Sequence, residues 1–115
     1  MDGRKALGKY GENLALEYLE NKGYKLIGSN IRLFCGEIDL LMEDKNILVV
    51  VEVKTKSDLS FGLPQEMVNY KKRRKLLQLA KALWQKNPGA NIRIDVVAID
   101  KENCKIEHII NAVEE

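Results

Sequence analysis

At 115 residues the chain sits near the commonest size of a folded domain, enough for one hydrophobic core but not two, and it reads as a single domain over residues 1–115. Its 45% apolar and 31% charged content is that of a soluble globular protein, and no run approaches the ~20 apolar residues of a membrane-spanning helix. The net charge of +2 is unevenly spread: residues 65–86 hold seven basic side chains against Glu66, a net of +6, which leaves −4 on the rest.

The N-terminal residues Asp2, Arg4 and Lys5 are charged and lack the apolar core of an export signal, so a cytoplasmic protein with no membrane partner is expected. Residues 4–22 follow as a helix, with Leu7, Gly11, Leu14 and Tyr18 at helical spacing and Ala15 and Leu19 widening the stripe. Gly8 and Gly11 are poor helix formers, and their presence points to close packing. Gly23 supplies a left-handed stop. Strands are expected over residues 24–32, 37–43 and 47–56, the last two joined by the polar turn Asp44-Lys45-Asn46. A loop over 57–64 carries Phe61, Gly62 and Pro64. A long helix over 64–86 has Leu76, Leu79, Ala80 and Leu83 as its apolar face, with Tyr70 and Trp84 expected in or beside the core; Asn87-Pro88-Gly89 ends it. Strands over 92–99 and 105–110 close the order α-β-β-β-α-β-β, an α/β class with helices packed on a mixed sheet. Cys35 and Cys104 form no CxxC and His108 is the sole imidazole, so zinc is not expected and the thiols read as reduced and structural.

The chemistry concentrates in residues 36–41 and 49–56. Alternation along a strand puts Glu52 and Lys54 on one face of the third strand, and Glu37 and Asp39 on one face of the second. A hairpin centred between Lys45 and Asn46 places Asp39 opposite Glu52 and Glu37 opposite Lys54. Directly opposed carboxylates about 5 Å apart repel. A bound Mg²⁺, which takes a few carboxylate oxygens and keeps waters, gives such a pair a reason, with the carbonyl of Val53 as a further ligand. The bland alternative is a wet strand face with a Glu37–Lys54 salt bridge, and spacing alone leaves both open.

Asp39, twelve intervening residues and Glu52-Val53-Lys54 resemble the D…(D/E)-x-K motif of the restriction-endonuclease-like fold. Within that fold the chain resembles the YraN-like family of small predicted nucleases, related to archaeal Holliday-junction resolvases. The match covers about residues 8–100. It includes Gly11-Glu12, Tyr24, Asn30 with Arg32, Gly36-Glu37-Ile38-Asp39-Leu40, Val51-Glu52-Val53-Lys54-Thr55, Gly62 with Pro64, Lys71, and Asp95-Val96-Val97. The resemblance implies Asp39 and Glu52 as metal ligands, Lys54 as the residue that orients water or steadies phosphate, and Glu12 as a helix-borne acid completing the site. Lys56 departs from the more usual arginine, keeping charge but losing bidentate geometry.

The resulting expectation is a Mg²⁺- or Mn²⁺-dependent endonuclease acting on structured or branched DNA by in-line attack of water. Lys71, Arg74 and Lys75, which share a helix face, would grip phosphates, helped by Arg32, Lys56 and Phe61 as a stacking aromatic. The rivals are a nucleic-acid-binding module of the same fold that works in repair, recombination or uptake through partners, and a non-catalytic interaction domain with a solvated acidic face. By analogy with resolvases, a symmetric homodimer is an option.

Overall fold

The computed structural model describes residues 3–56 and 69–113, with side chains described over 6–55 and 69–113. Helix α1 (Gly3–Asn21) buries Gly11, Ala15 and Leu19, a four-residue repeat that forms one narrow stripe. It ends as expected at Gly23, which takes φ +97, while the Tyr24 N–H returns to the Leu19 carbonyl at 3.0 Å.

Strands β1 (Lys25–Leu33), β2 (Gly36–Asp44) and β3 (Ile47–Lys56) form an antiparallel meander. Lys45 and Asn46 both have positive φ, which joins β2 to β3 by a two-residue turn whose twist matches the strands. That turn fixes the register expected from it, from Asp44↔Ile47 up to Leu40↔Val51. Helix α2 (Tyr70–Lys86) then crosses to β4 (Asn91–Asp100), parallel to β3 from Ile47↔Asn91 to Lys56↔Asp100. β5 (Lys105–Ile109) lies antiparallel on β4, giving a mixed sheet of order β1-β2-β3-β4-β5. The order α-β-β-β-α-β-β and the α/β class stand as expected. The expected start of the second helix at Pro64 lies outside the described residues; α2 itself begins at Tyr70, where the Asn69 side chain accepts the Lys72 N–H at 2.9 Å.

One core layer lies between α1 and the sheet, with Ala15, Leu19, Leu40, Met42, Val49 and Val51 buried. The other lies under α2, with Leu76, Leu79, Leu83, Ile38, Leu41 and Val50. Val49 and Val50 fall on opposite faces, as alternation requires. In β2 the alternation breaks: Ile38 packs under α2 and Leu40 under α1, although two residues apart they should share a face. Tyr70 is 77% exposed and so lies outside the core, against expectation, whereas Trp84, half exposed, sits beside the core as expected, lining a hollow with Leu77, Ala80, Ile92, Ile94 and Val113. No helix among the described residues is long and apolar enough to cross a membrane.

Beneath the α1 layer lies Asp95, the one buried charged residue among the described residues. Its carboxylate accepts from Arg93 at 2.9 and 3.0 Å, from His108 Nε2 at 2.7 Å, from the Tyr24 hydroxyl at 3.3 Å and from the Asn111 N–H at 3.0 Å. Lys22 Nζ lies 3.0 Å from His108 Nδ1; an ammonium can only donate, so Nδ1 accepts and Nε2 carries the proton given to Asp95.

Candidate active site

The site forms where β2 and β3 part. Their ladder ends at Leu40↔Val51, and beyond it the Val53 N–H donates not to the neighbouring main chain but to Asp39 Oδ2, at 2.9 Å. The break of alternation in β2 and this substitution of a carboxylate for a carbonyl are one event: the strand turns its side chain into the ladder. Burial pushes the Asp39 carboxyl up to about 7, and Glu52 adds to the rise. The Val53 hydrogen bond opposes that rise, Glu12 adds a weaker repulsion and Lys72 a weaker attraction. Asp39 and Glu52 are therefore close and mutually repelling, but not as the directly opposed ladder pair expected from the hairpin: the ladder stops one residue short and Asp39 turns to the Val53 N–H.

Glu52 meets Lys72 of α2, with Nζ 2.7 Å from Oε1 and side chains 30% and 12% exposed for Lys72 and Glu52. Lys54, two residues on and so on the same face, lines a groove of about 560 Å³ together with Lys71, Lys72, Arg74 and Lys75. None of the first-turn residues of α2 is acidic. Cations crowd the positive end of a helix dipole, an arrangement unfavourable by itself and relieved by an anion in the groove.

On the α1 side, Glu12 and Glu37 share one residue. Asn30 Nδ2 donates to Glu12 Oε1 at 3.1 Å and to Glu37 Oε1 at 3.3 Å. Asn30 has φ +49, a left-handed conformation that asparagine tolerates better than most residues. Glu37 is thus not opposite Lys54. Its other neighbour is Arg32, 3.8 Å away and 86% exposed. The physical reason is that the β2–β3 ladder ends at Leu40↔Val51, where the Val53 N–H turns to Asp39, so Glu37 and Lys54 are no longer paired across it.

Among the described residues no three His, Cys, Asp or Glu side chains converge closely enough to hold an ion. The donor set that suits a divalent cation is the pair Asp39 and Glu52: two hard oxygen ligands, one of them destabilised as an anion by burial. Val53 contributes its N–H to Asp39. Lys71, Arg74 and Lys75 are exposed on α2, facing the groove with Lys54. The Lys56 side chain and Phe61 lie outside the described residues. Lys72 was not among the residues singled out from the sequence. The signal was there: Lys72, Leu76, Leu79 and Leu83 follow one helical stripe, so Lys72 extends the sheet-facing side of α2. Asn30, which holds two acids, carried no signal beyond its place in the motif.

A profile described as "Uncharacterised protein family UPF0102" matches residues 11–99, which hold every acid and lysine of this site. The chain belongs to the UPF0102 family. A UPF0102 protein of Thermodesulfovibrio yellowstonii is 46% identical over 110 residues, covering 92% of this chain and 94% of its own. One from Flavobacterium johnsoniae is 43% identical over 113 residues, covering 92% of each. One from Clostridium beijerinckii is 35% identical over 114 residues, covering 94% of this chain and 93% of its own. The YraN-like resemblance read from the joined motif blocks thus holds at the level of the family, and UPF0102 proteins match this one nearly end to end.

Proposed function

We propose that this UPF0102 protein is a Mg²⁺- or Mn²⁺-dependent nuclease that hydrolyses phosphodiester bonds in structured or branched DNA in the cytoplasm. The observation that carries the reading is the repelling Asp39–Glu52 pair, joined through the Glu52–Lys72 contact to the cationic groove that Lys72 lines. Asp39 and Glu52 would hold the ion. When bound it supplies a Lewis acid for the phosphoryl oxygens and lowers the pKa of a ligated water. The chain's own residues do the rest. The Val53 N–H fixes one oxygen of Asp39, so that carboxylate is oriented before any ligand arrives. Lys54 brings a positive donor to the same face as Glu52, where charge grows on the phosphate in the transition state. Lys71, Arg74 and Lys75 hold the flanking phosphates and set the path of the backbone. Water attacks in line and the protein forms no covalent intermediate. A symmetric dimer would present two such sites to a two-fold junction.

The test is cleavage of linear, flapped and four-way DNAs with Mg²⁺ or Mn²⁺. Wild type should cut at least one branched substrate, and Asp39→Asn, Glu52→Gln and Lys54→Ala should each abolish cutting while retaining DNA binding. One observation favours a second reading, a binding module without catalysis: Lys72 already neutralises Glu52 at 2.7 Å. Wild type that binds DNA but cuts nothing in the panel, with no metal affinity by calorimetry, selects that reading. Protein that binds neither DNA nor metal ends both.

A further inference from the structure

Phe34 is 91% exposed, the most exposed large apolar side chain among the described residues. It sits in the turn between β1 and β2, whose neighbours Leu33 and Cys35 are half-buried. The turn is shaped at Gly36, whose φ of +149 suits glycine, and the end of the Lys75 side chain lies across it, with Cε 2.8 Å from where a β-carbon would be. The result is an exposed aromatic ring at a hollow of about 700 Å³ that it lines together with Arg32, Glu37 and Lys75.

A planar apolar ring flanked by two cations matches the two halves of a nucleotide: a base face and its phosphates. Charge selects a nucleic acid over an apolar protein partner, because the groove of Lys54, Lys71 and Arg74 shares Lys75 with this hollow. Bases inside a duplex already have both faces stacked, so only an unpaired or branch-point base can use the ring. We infer that Phe34 is a stacking platform for an unpaired base at a branch or flap, and that it sets the substrate class of the site. This rests on the reading that the adjoining face binds nucleic acid. Phe34 precedes Asp39 by five residues, at most ~17 Å of extended chain, or about five base-pair steps of duplex. Cutting should therefore fall within about five nucleotides of the branch.

The experiment uses the whole chain and two DNA probes, a blunt duplex and the same duplex with a single-stranded flap carrying 2-aminopurine at the branch. Wild type should bind the flap about tenfold more tightly than the duplex, in line with stacking on one aromatic, and should change the 2-aminopurine fluorescence. Phe34→Ala should bring flap affinity down to the duplex value and abolish the fluorescence change, while Phe34→Tyr keeps both. An exposed ring contributes little to folding, so equal melting temperatures of the three proteins establish that they are compared in the folded state. Flap affinity and fluorescence unchanged in Phe34→Ala overturn the stacking role, and leave the nuclease reading standing if Lys71→Ala/Arg74→Ala/Lys75→Ala weakens binding to both probes. Wild type that binds neither probe overturns that reading and this one together. Self-association that Phe34→Ala abolishes, with flap and duplex bound equally, would make the ring a contact between copies and overturn the proposal.

Discussion

Asp39 is most comfortable protonated. Its folded-state value of about 7 lies above the ~3.9 of an unfolded aspartate, so between these the native chain holds a proton the unfolded chain has released. Stability contributed by this group is complete below about pH 4 and falls as pH rises to about 7. Asparagine keeps an oxygen for the Val53 N–H and removes the charge. Thermal melts in EDTA should therefore show Asp39→Asn more stable than wild type at pH 8, on the order of a few kcal/mol, with the gap closing by pH 4. Added Mg²⁺ should raise the wild-type melting temperature and leave Asp39→Asn unmoved. A variant less stable than wild type at pH 8 without metal would mean that the two carboxylates do not crowd each other. That Asp39 meets Glu52 was legible in the sequence, because Lys45 and Asn46 define a turn and a turn defines register. Where Glu37 goes was not, because counting by twos assumes an unbroken strand, and the Val53 N–H to Asp39 is the break.

At the scale of elements, each helix is placed by one residue that a pattern search underrates. Gly11 is buried against β3, and a β-carbon there would come within 1.7 Å of Thr55 Oγ1 and 2.9 Å of its Cβ. Rotation of Thr55 relieves the first clash but not the second, so Gly11→Ala must lift α1 off β3. It should cost about 1–3 kcal/mol in urea unfolding, and, by displacing the adjacent Glu12, weaken Mn²⁺ affinity more than an unobstructed change such as Gly8→Ala, where nothing lies within 4 Å. Close packing at the helix glycines was foreseeable; which glycine packs against a neighbour required the sheet. α2 divides its charge between two tasks, with Lys72 turned to Glu52 and Lys71, Arg74 and Lys75 facing the groove. Replacing those three with alanine should flatten the salt dependence of DNA binding by ~0.9 in log–log slope for each phosphate no longer neutralised. An unchanged slope would return the basic run to a merely solvated face.

Across the whole molecule the site and its support lie at different places on the sheet. Asp95 joins residues distant in sequence: Tyr24 before β1, Arg93 on its own strand, His108 on β5 and Asn111 beyond it. Arg93 also reaches Asp44 on β2 at 3.2 Å. In the sequence Asp95 stands out only as part of a motif, since no local pattern says which of 17 acids becomes buried. Burial alone would raise its pKa, but the hydrogen bonds from His108, Arg93 and the Asn111 N–H hold it below the usual carboxylate range. Its stabilisation is therefore present above about pH 4 and is lost as pH falls through the lower folded-state value. Asp95→Asn leaves the Arg93 guanidinium beside a neutral amide in a partly buried place, and should cost ~3–5 kcal/mol at pH 7 by urea unfolding. The cost should shrink in acid, where the wild-type carboxylate is itself being protonated. The folded fraction of Asp95→Asn should keep its metal affinity and its salt slope on DNA, because neither Asp39 nor the α2 groove touches this network. If metal affinity fell in step with stability, Asp95 would belong to the site and not to the frame that carries it.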